Sequence, residues 1–255
     1  YHILSNFTYY RVATPLFSKC GARLKLEKPT AFDVVSPATP LRLSAGKIPR
    51  FMATAGETVE RLPLVVFEDE HVLVINKPTG LNTHAPAPFA GEGIYEWLRH
   101  RNPRWATLAI IHRLDKDTSG LMVFAKTSLA NRSLTRQFTE RSVRKQYLLL
   151  TDRSPPKAEF NVRSYLVRRG SRYQSSSGSE GGELAETHFS VLASHPDGQI
   201  LVTAEPRTGR THQIRVHAAE NGFPILGDTL YGGSPGPRVC LHAQQLGFRH
   251  PVTGA

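Results

Sequence analysis

The sequence predicts an α+β fold on a largely antiparallel sheet. Three observations carry this expectation. Short apolar runs bounded by turn residues outnumber the segments with a helical repeat. Several of these runs follow one another too closely for the crossover helix that a parallel pair requires. One segment, residues 128–140, does repeat at helical spacing, so helices are present but few.

Residues 1–61 contain scattered prolines (Pro15, Pro29, Pro37, Pro40, Pro49) and short apolar stretches without a long period. They read as an N-terminal extension, with a short strand plausible at Leu41, Arg42 and Leu43. From residue 62 to 255 the signals strengthen into one larger domain. Leu64, Val65, Val66 and Phe67, an acidic turn, and then Val72, Leu73, Val74 and Ile75 predict a β-hairpin. Residues 93–101 suit a short helix. Leu108 to Ile111 and then residues 120–126 are apolar runs on either side of a charged turn, and read as two strands. In 128–140, Ala130, Leu134 and Phe138 share one helix face, while Arg132 and Arg136 lie elsewhere on its surface. Strands follow at 145–151 and 160–167. Residues 171–182 are rich in Ser and Gly and read as a mobile loop. Two further strands are expected at 183–192 and 199–204. The last helix spans 211–220, with Thr211 as its cap and Gly222 as its stop.

Composition narrows the partner. The chain has 255 residues, a formal charge of +11 and a sequence pI near 9.9. Such an excess favours a polyanion, either nucleic acid or an anionic membrane surface. The charge is concentrated: residues 99–145 hold eleven Lys and Arg against three acids, a net +8. No apolar run is long enough to span a bilayer, and no amphipathic helix sets large apolar residues beside a basic face, so a membrane is not expected. No signal-peptide pattern is present, and a start at Tyr1 rather than Met reads as trimming. Two cysteines, Cys20 and Cys240, make no disulfide framework and fit a reducing cytoplasm. No metal site is expected, since His212 and His217 are five residues apart, off a common helix face, and no carboxylate cluster joins them.

The most informative segment is His112-Arg113-Leu114-Asp115-Lys116-Asp117-Thr118-Ser119-Gly120-Leu121, the charged turn between two apolar runs. A carboxylate at a strand end is held rigidly at the rim of a core. An isolated Arg-x-Asp is most often a structural ion pair, and a turn Asp most often bonds its own backbone, as Asp117 is expected to do. Here the whole segment resembles the signature of the RluA family of pseudouridine synthases. Asn76-Lys77-Pro78-Thr79-Gly80-Leu81, Lys145-Gln146-Tyr147, Arg207-Thr208-Gly209-Arg210-Thr211-His212-Gln213-Ile214-Arg215, Gly227-Asp228 with Tyr231-Gly232, and Leu241-His242-Ala243 resemble its other motifs, in the family's order. The resemblance covers residues 62–255. It implies a bent, mostly antiparallel mixed sheet with flanking helices and a basic cleft. Many family members carry an S4-type RNA-binding domain, whose pattern is not found in residues 1–61.

The resemblance also assigns roles. Asp115 matches the nucleophile, Arg215 the arginine paired with it, and Tyr147 the tyrosine that packs on uracil and can act as base. Arg113 matches the residue that fills the gap left by the flipped base, a step suited to a guanidinium that stacks and bridges phosphates. His112 either assists or serves as a structural hydrogen-bonding histidine. Arg132, Arg136, Arg144, Lys145 and Arg210 are expected to contact RNA, as a phosphate-tracking surface around the turn. The Asn76 to Gly80 turn is expected to be structural. Without the resemblance, Arg215 would be read as a surface helix residue and Tyr147 as a core strand aromatic.

The expected activity is conversion of uridine to pseudouridine in ribosomal or transfer RNA. This isomerisation gains and loses no atom, so no cofactor is expected. The implied protein is a cytoplasmic monomer. The alternative is a non-catalytic RNA-binding protein or RNA-folding chaperone on the same scaffold, although such a protein has no use for a paired buried carboxylate.

Overall fold

A computed structural model describes residues 10–13, 64–87, 91–176, 178 and 181–254. The expected boundary at 61/62 and the strand expected at 41–43 lie outside the described residues. Eleven strands are present among those described: β1 (Tyr10–Ala13), β2 (Leu64–Glu68), β3 (Val72–Lys77), β4 (Ala109–Ile110), β5 (Ser119–Ala125), β6 (Arg144–Thr151), β7 (Glu159–Arg169), β8 (Arg172–Ser176), β9 (Glu183–Ser194), β10 (Ile200–Pro206) and β11 (Leu241–Phe248). The helices are α1 (Ile94–Arg101), α2 (Ser128–Thr139) and α3 (Gln213–Glu220). All strands belong to one sheet, whose main path runs β2-β3-β5-β11-β6-β10-β9-β7-β8. Every pairing is antiparallel except β5 with β11. The α+β expectation therefore holds, with a mixed sheet.

Strand β5 lies at the centre of one half. All seven of its residues are buried, because both of its faces are covered. Leu121 and Val123 pack in a cluster with Ala130, Leu134 and Phe138 of α2. Met122 and Phe124 pack in a second cluster with Ile94 and Leu98 of α1, and with Leu114. The helical period read from 128–140 is thus the buried face of α2, and full burial of Leu134 stabilises by about 1.5–3 kcal/mol. Leu114, beside Asp115, is rooted in the α1-side core, so the charged turn is anchored by an apolar plug.

The parallel joint between β5 and β11 is short, pairing Ser119 with His242 and Gly120 with Ala243. Beyond it β11 pairs with β1 instead, from Gln245 to Phe248. Gly120 makes the joint possible. Its φ is +121°, and a Cβ there would lie 2.4 Å from the Ala243 carbonyl oxygen.

Three expectations are corrected. The mobile loop at 171–182 contains strand β8, paired with β7 from Tyr165↔Ser176 to Arg169↔Arg172. Tertiary partners supply what composition lacks: the Tyr173 N–H donates to the Tyr231 hydroxyl and the Ser175 N–H to Glu220. Strand β11 has no counterpart among the strands expected from sequence, where Leu241, His242 and Ala243 stand only as a motif. Finally, Thr211 does not cap α3. His212 precedes the helix in a left-handed conformation (φ 56°), and the side-chain amide oxygen (Oε1) of Gln213 accepts from the Arg210 N–H and the Thr208 hydroxyl.

Gly120→Ala should destabilise the domain by at least about 1–3 kcal/mol, since both the backbone conformation and the contact with β11 oppose a side chain. A shift in urea midpoint checks this. A midpoint within experimental error of wild type would mean the joint is looser than its geometry indicates.

Candidate active site

The charged turn is fastened from below by the turn after β3. The side chain of Lys77 is fully buried, and its ammonium donates to the carbonyls of Pro78 (2.9 Å), Leu81 (2.7 Å) and Lys116 (3.1 Å). The Gly80 N–H donates to the same Lys116 carbonyl, and the Thr79 hydroxyl to that of Asp117. Thr83 closes both sides of Leu114: its hydroxyl donates to the Leu114 carbonyl and accepts from the Leu114 N–H. The backbone on either side of Asp115 is therefore held at residues 114, 116 and 117. Burial lowers Lys77 to about 8, against the pull of Asp115 and Asp117. The structural role expected for the turn is what the geometry provides.

Asp115 opens into a cleft of about 1140 Å³. Arg215 faces it from α3, with Nη1 3.7 Å from the Asp115 carboxylate. Far from being a surface residue, the Arg215 side chain is only 4% exposed. A buried guanidinium requires partners. The chief partner is Asp228, which sequence reasoning placed in a motif but not in the site. Arg215 donates to it through Nε (2.7 Å) and Nη2 (2.8 Å), a bidentate pair in which the Asp228 side chain is 1% exposed. The remaining end of the fork is left toward Asp115. The Tyr231 ring lies 5.0 Å from the guanidinium carbon, and Asp228 raises Arg215 further above its ordinary value despite burial.

Helix α3 carries Arg215 because a polar network fixes it to the sheet. Gln213 donates to the Glu186 carbonyl and to Thr187. His217, fully buried, shares hydrogen bonds with Thr187 (2.9 Å) and Ser164 (3.1 Å). Tyr147 enters from β6, lining the cleft and packing against the α1-side core. Burial, reinforced by the Asp115 charge, raises its hydroxyl above the ordinary phenol value.

Of the residues expected to touch RNA, Arg113, His112, Lys145 and Arg210 line this cleft; Arg132, Arg136 and Arg144 do not. Arg132 and Arg136 stand on the exposed face of α2. Charge density along the chain marks them, and they lie outside the cleft lining. His112 offers no charge either. Its Nε2 accepts from the Val123 N–H (3.1 Å), its ring stacks on Phe138, and burial with Lys145 nearby lowers it to about 3. It is a neutral structural histidine in the cleft wall. Arg210 is partly committed, donating to Glu183 and the Leu184 carbonyl. Lys145 donates to the Thr208 carbonyl and is lowered to about 8 by burial. Arg141, Arg168 and Arg207 line the cleft as well, and sequence reasoning had not singled them out for it. Among the described residues no group of three or more His, Cys, Asp or Glu could hold a metal ion, and no helix is long and apolar enough to cross a membrane.

The mixed sheet thus carries a cleft lined by basic side chains, with a carboxylate facing a buried arginine at its floor. A family model described as RNA pseudouridylate synthase matches residues 71–220. The chain belongs to that family, in its RluA group, whose members match at 35–38% identity. It is 37% identical over 195 residues to the uncharacterized RNA pseudouridine synthase YhcT of Bacillus subtilis, covering 74% of this chain and 65% of the relative. It is 35% identical over 245 residues to the ribosomal large subunit pseudouridine synthase C of Yersinia pestis, covering 91% and 75%. A solved structure of human RNA pseudouridylate synthase domain containing 1 superposes with a TM-score of 0.64 at 28% identity, covering 79% of this chain and 83% of that one.

The buried histidines predict an acid-sensitive fold. His112 is lowered to about 3, and His217 and His242 to about 4. The unfolded chain takes up these protons first, near the ordinary value of 6.5. Stability is then complete above about pH 6.5 and declines as the pH falls toward 4. Urea midpoints should drop between pH 7 and 4.5; constant midpoints would show that these rings are not buried in the neutral form.

Proposed function

We propose that this chain converts uridine to pseudouridine in RNA, with Asp115 as nucleophile. The observation that carries this reading is the Asp115–Arg215–Asp228 arrangement at the floor of a cleft bordered by Arg113, Arg141, Lys145, Arg168 and Arg207. The cleft walls attract phosphates. The target base leaves its stack, and Arg113, exposed at the rim, fills the gap. In the reaction the N1–C1′ bond breaks, the C5–C1′ bond forms, and the C5 proton is given up as N1 gains one. Nothing is added, so no cofactor enters the scheme. Direct attack on C1′ and elimination through a glycal both use the same carboxylate.

Asp228 allows Arg215 to be buried and charged beside the nucleophile without wholly engaging it. At 3.7 Å the guanidinium offers electrostatic support rather than a tight hydrogen bond. Tyr147 supplies a ring against uracil. Its raised hydroxyl favours the neutral phenol, a donor, over the phenolate that a resting base would be. The relatives named for the large ribosomal subunit make ribosomal RNA the substrate to try first. A cytoplasmic, monomeric protein completes the reading, with residues 62–255 as the catalytic domain.

Asp115→Asn removes the charge and keeps the size. It should form no detectable pseudouridine in a transcript that wild type converts, while binding that RNA at least as well. Appreciable turnover would take Asp115 out of the mechanism and favour the non-catalytic RNA binder. Tyr147→Phe isolates the hydroxyl. Its rate should fall by roughly two powers of ten, the lower end of what acid–base participation contributes, with unchanged affinity and melting temperature. Near-normal turnover would leave Tyr147 as a stacking wall only.

A further inference from the structure

The β7–β8 hairpin carries a local conflict that the pseudouridine reaction does not explain. Its register sets Arg169 directly opposite Arg172, the pair closing the turn at Gly170 and Ser171. Both arginines are exposed. Like charges facing each other across an antiparallel pair destabilise it. Arg168 is exposed beside them, lines the cleft, and donates through Nε to the Gly170 carbonyl. No acid occurs from residue 160 to 179. The acids Glu183, Glu186 and Glu220 on the packed elements are engaged by Arg210, Arg163 and Ser175. Three arginines thus stand at one hairpin tip, Arg169 and Arg172 on the same face, and among the described residues no carboxylate is assigned to them.

The same hairpin is fastened along its outer edge. The Tyr173 N–H donates to the Tyr231 hydroxyl (2.9 Å) and the Ser175 N–H to Glu220 (2.8 Å). These are edge-strand donors that would otherwise be open to another strand. Tyr231 in turn lies against Arg215. An exposed, charged tip is therefore held in place through a side chain that touches the active-site arginine. An ordered tip binds a charged partner at a lower entropic cost than a mobile one.

We propose that the tip of the β7–β8 hairpin is a second grip on the RNA backbone, with Arg168, Arg169 and Arg172 contacting phosphates of the strand that runs out of the cleft. This rests on the RNA-modifying reading above and adds to the cleft residues an element more than twenty residues away in sequence from the 99–145 basic segment. A phosphate seated between Arg169 and Arg172 relieves their repulsion, so the conflict in the free hairpin is resolved in the complex. No large apolar side chain is exposed at the tip, which sets it apart from a membrane-inserting hairpin.

The test uses the full chain and a fluorescent in-vitro transcript of large-subunit ribosomal RNA, titrated at several salt concentrations. Arg169→Gln with Arg172→Gln should weaken binding about tenfold at low salt and make the log–log salt slope shallower by about 1.4–1.8, the loss of two phosphate contacts. The melting temperature should be equal or higher, because a repulsive pair has gone, and this separates lost contact from lost fold. Lys157→Gln, an exposed site near the opposite end of β7, is the control and should change neither quantity. Unchanged affinity and slope in the double variant overturn the proposal, as does an equal loss in the Lys157 variant. If wild type itself does not bind the transcript, it is the RNA-modifying reading that falls.

Discussion

A guanidinium cannot be buried between a core and a cleft unless its charge is met, and much of the cleft-bearing half of this protein follows from meeting it. Arg215 is satisfied on one side by Asp228 in a two-bond pair almost wholly out of solvent. Removing either member would strand the other, at a cost of about 3–5 kcal/mol. That pair sets where α3 and the turn at residues 227–232 sit relative to each other, and so where the free end of the guanidinium points. It points at Asp115.

The two sides of the site are held by different physics. Asp115 is fixed by backbone: carbonyls of the charged turn receive hydrogen bonds from Lys77, Thr79, Gly80 and Thr83, and Leu114 roots the turn in the core. Arg215 is fixed by side chains: Gln213, Thr187, His217 and Ser164 form a buried polar network in which each member is bonded. Such networks favour one geometry when every member is satisfied. No buried side-chain polar atom among the described residues lacks a partner. A carboxylate and a guanidinium 3.7 Å apart, each held by its own scaffold, form a preorganised charge pair of the kind that electrostatic catalysis requires.

Positive charge in this chain has several uses, and position along the sequence does not distinguish them. Lys77 is structural, its ammonium closing a turn with three carbonyls. Arg215 supports a carboxylate. Arg113, Arg141 and Arg207 face the cleft, while Arg132 and Arg136 project from the opposite side of α2. The +8 balance of residues 99–145 includes Arg132 and Arg136, which lie outside the cleft lining, and omits Arg168 and Arg207, which reach the cleft from β7 and from the end of β10.

Local patterns in the sequence determined most elements. The two apolar runs at residues 64–67 and 72–75, the four-residue spacing of Ala130, Leu134 and Phe138, and the charged turn at Asp115 each act over a few neighbouring residues, and each is legible. The ordered motifs carried the family and three residues that line the cleft, Asp115, Tyr147 and Arg215. Tertiary structure alone decided the rest. Strand β8 hides in a Ser- and Gly-rich segment because its edge donors are met by Tyr231 and Glu220, 58 and 45 residues away. His112 is a neutral wall because Val123, on a neighbouring strand, holds its Nε2. Asp228 enters the site only because α3 and the turn after it fold back onto each other. Hydrogen bonds and buried charges are completed by whichever group the fold brings within about 3 Å, and sequence separation sets no limit on that.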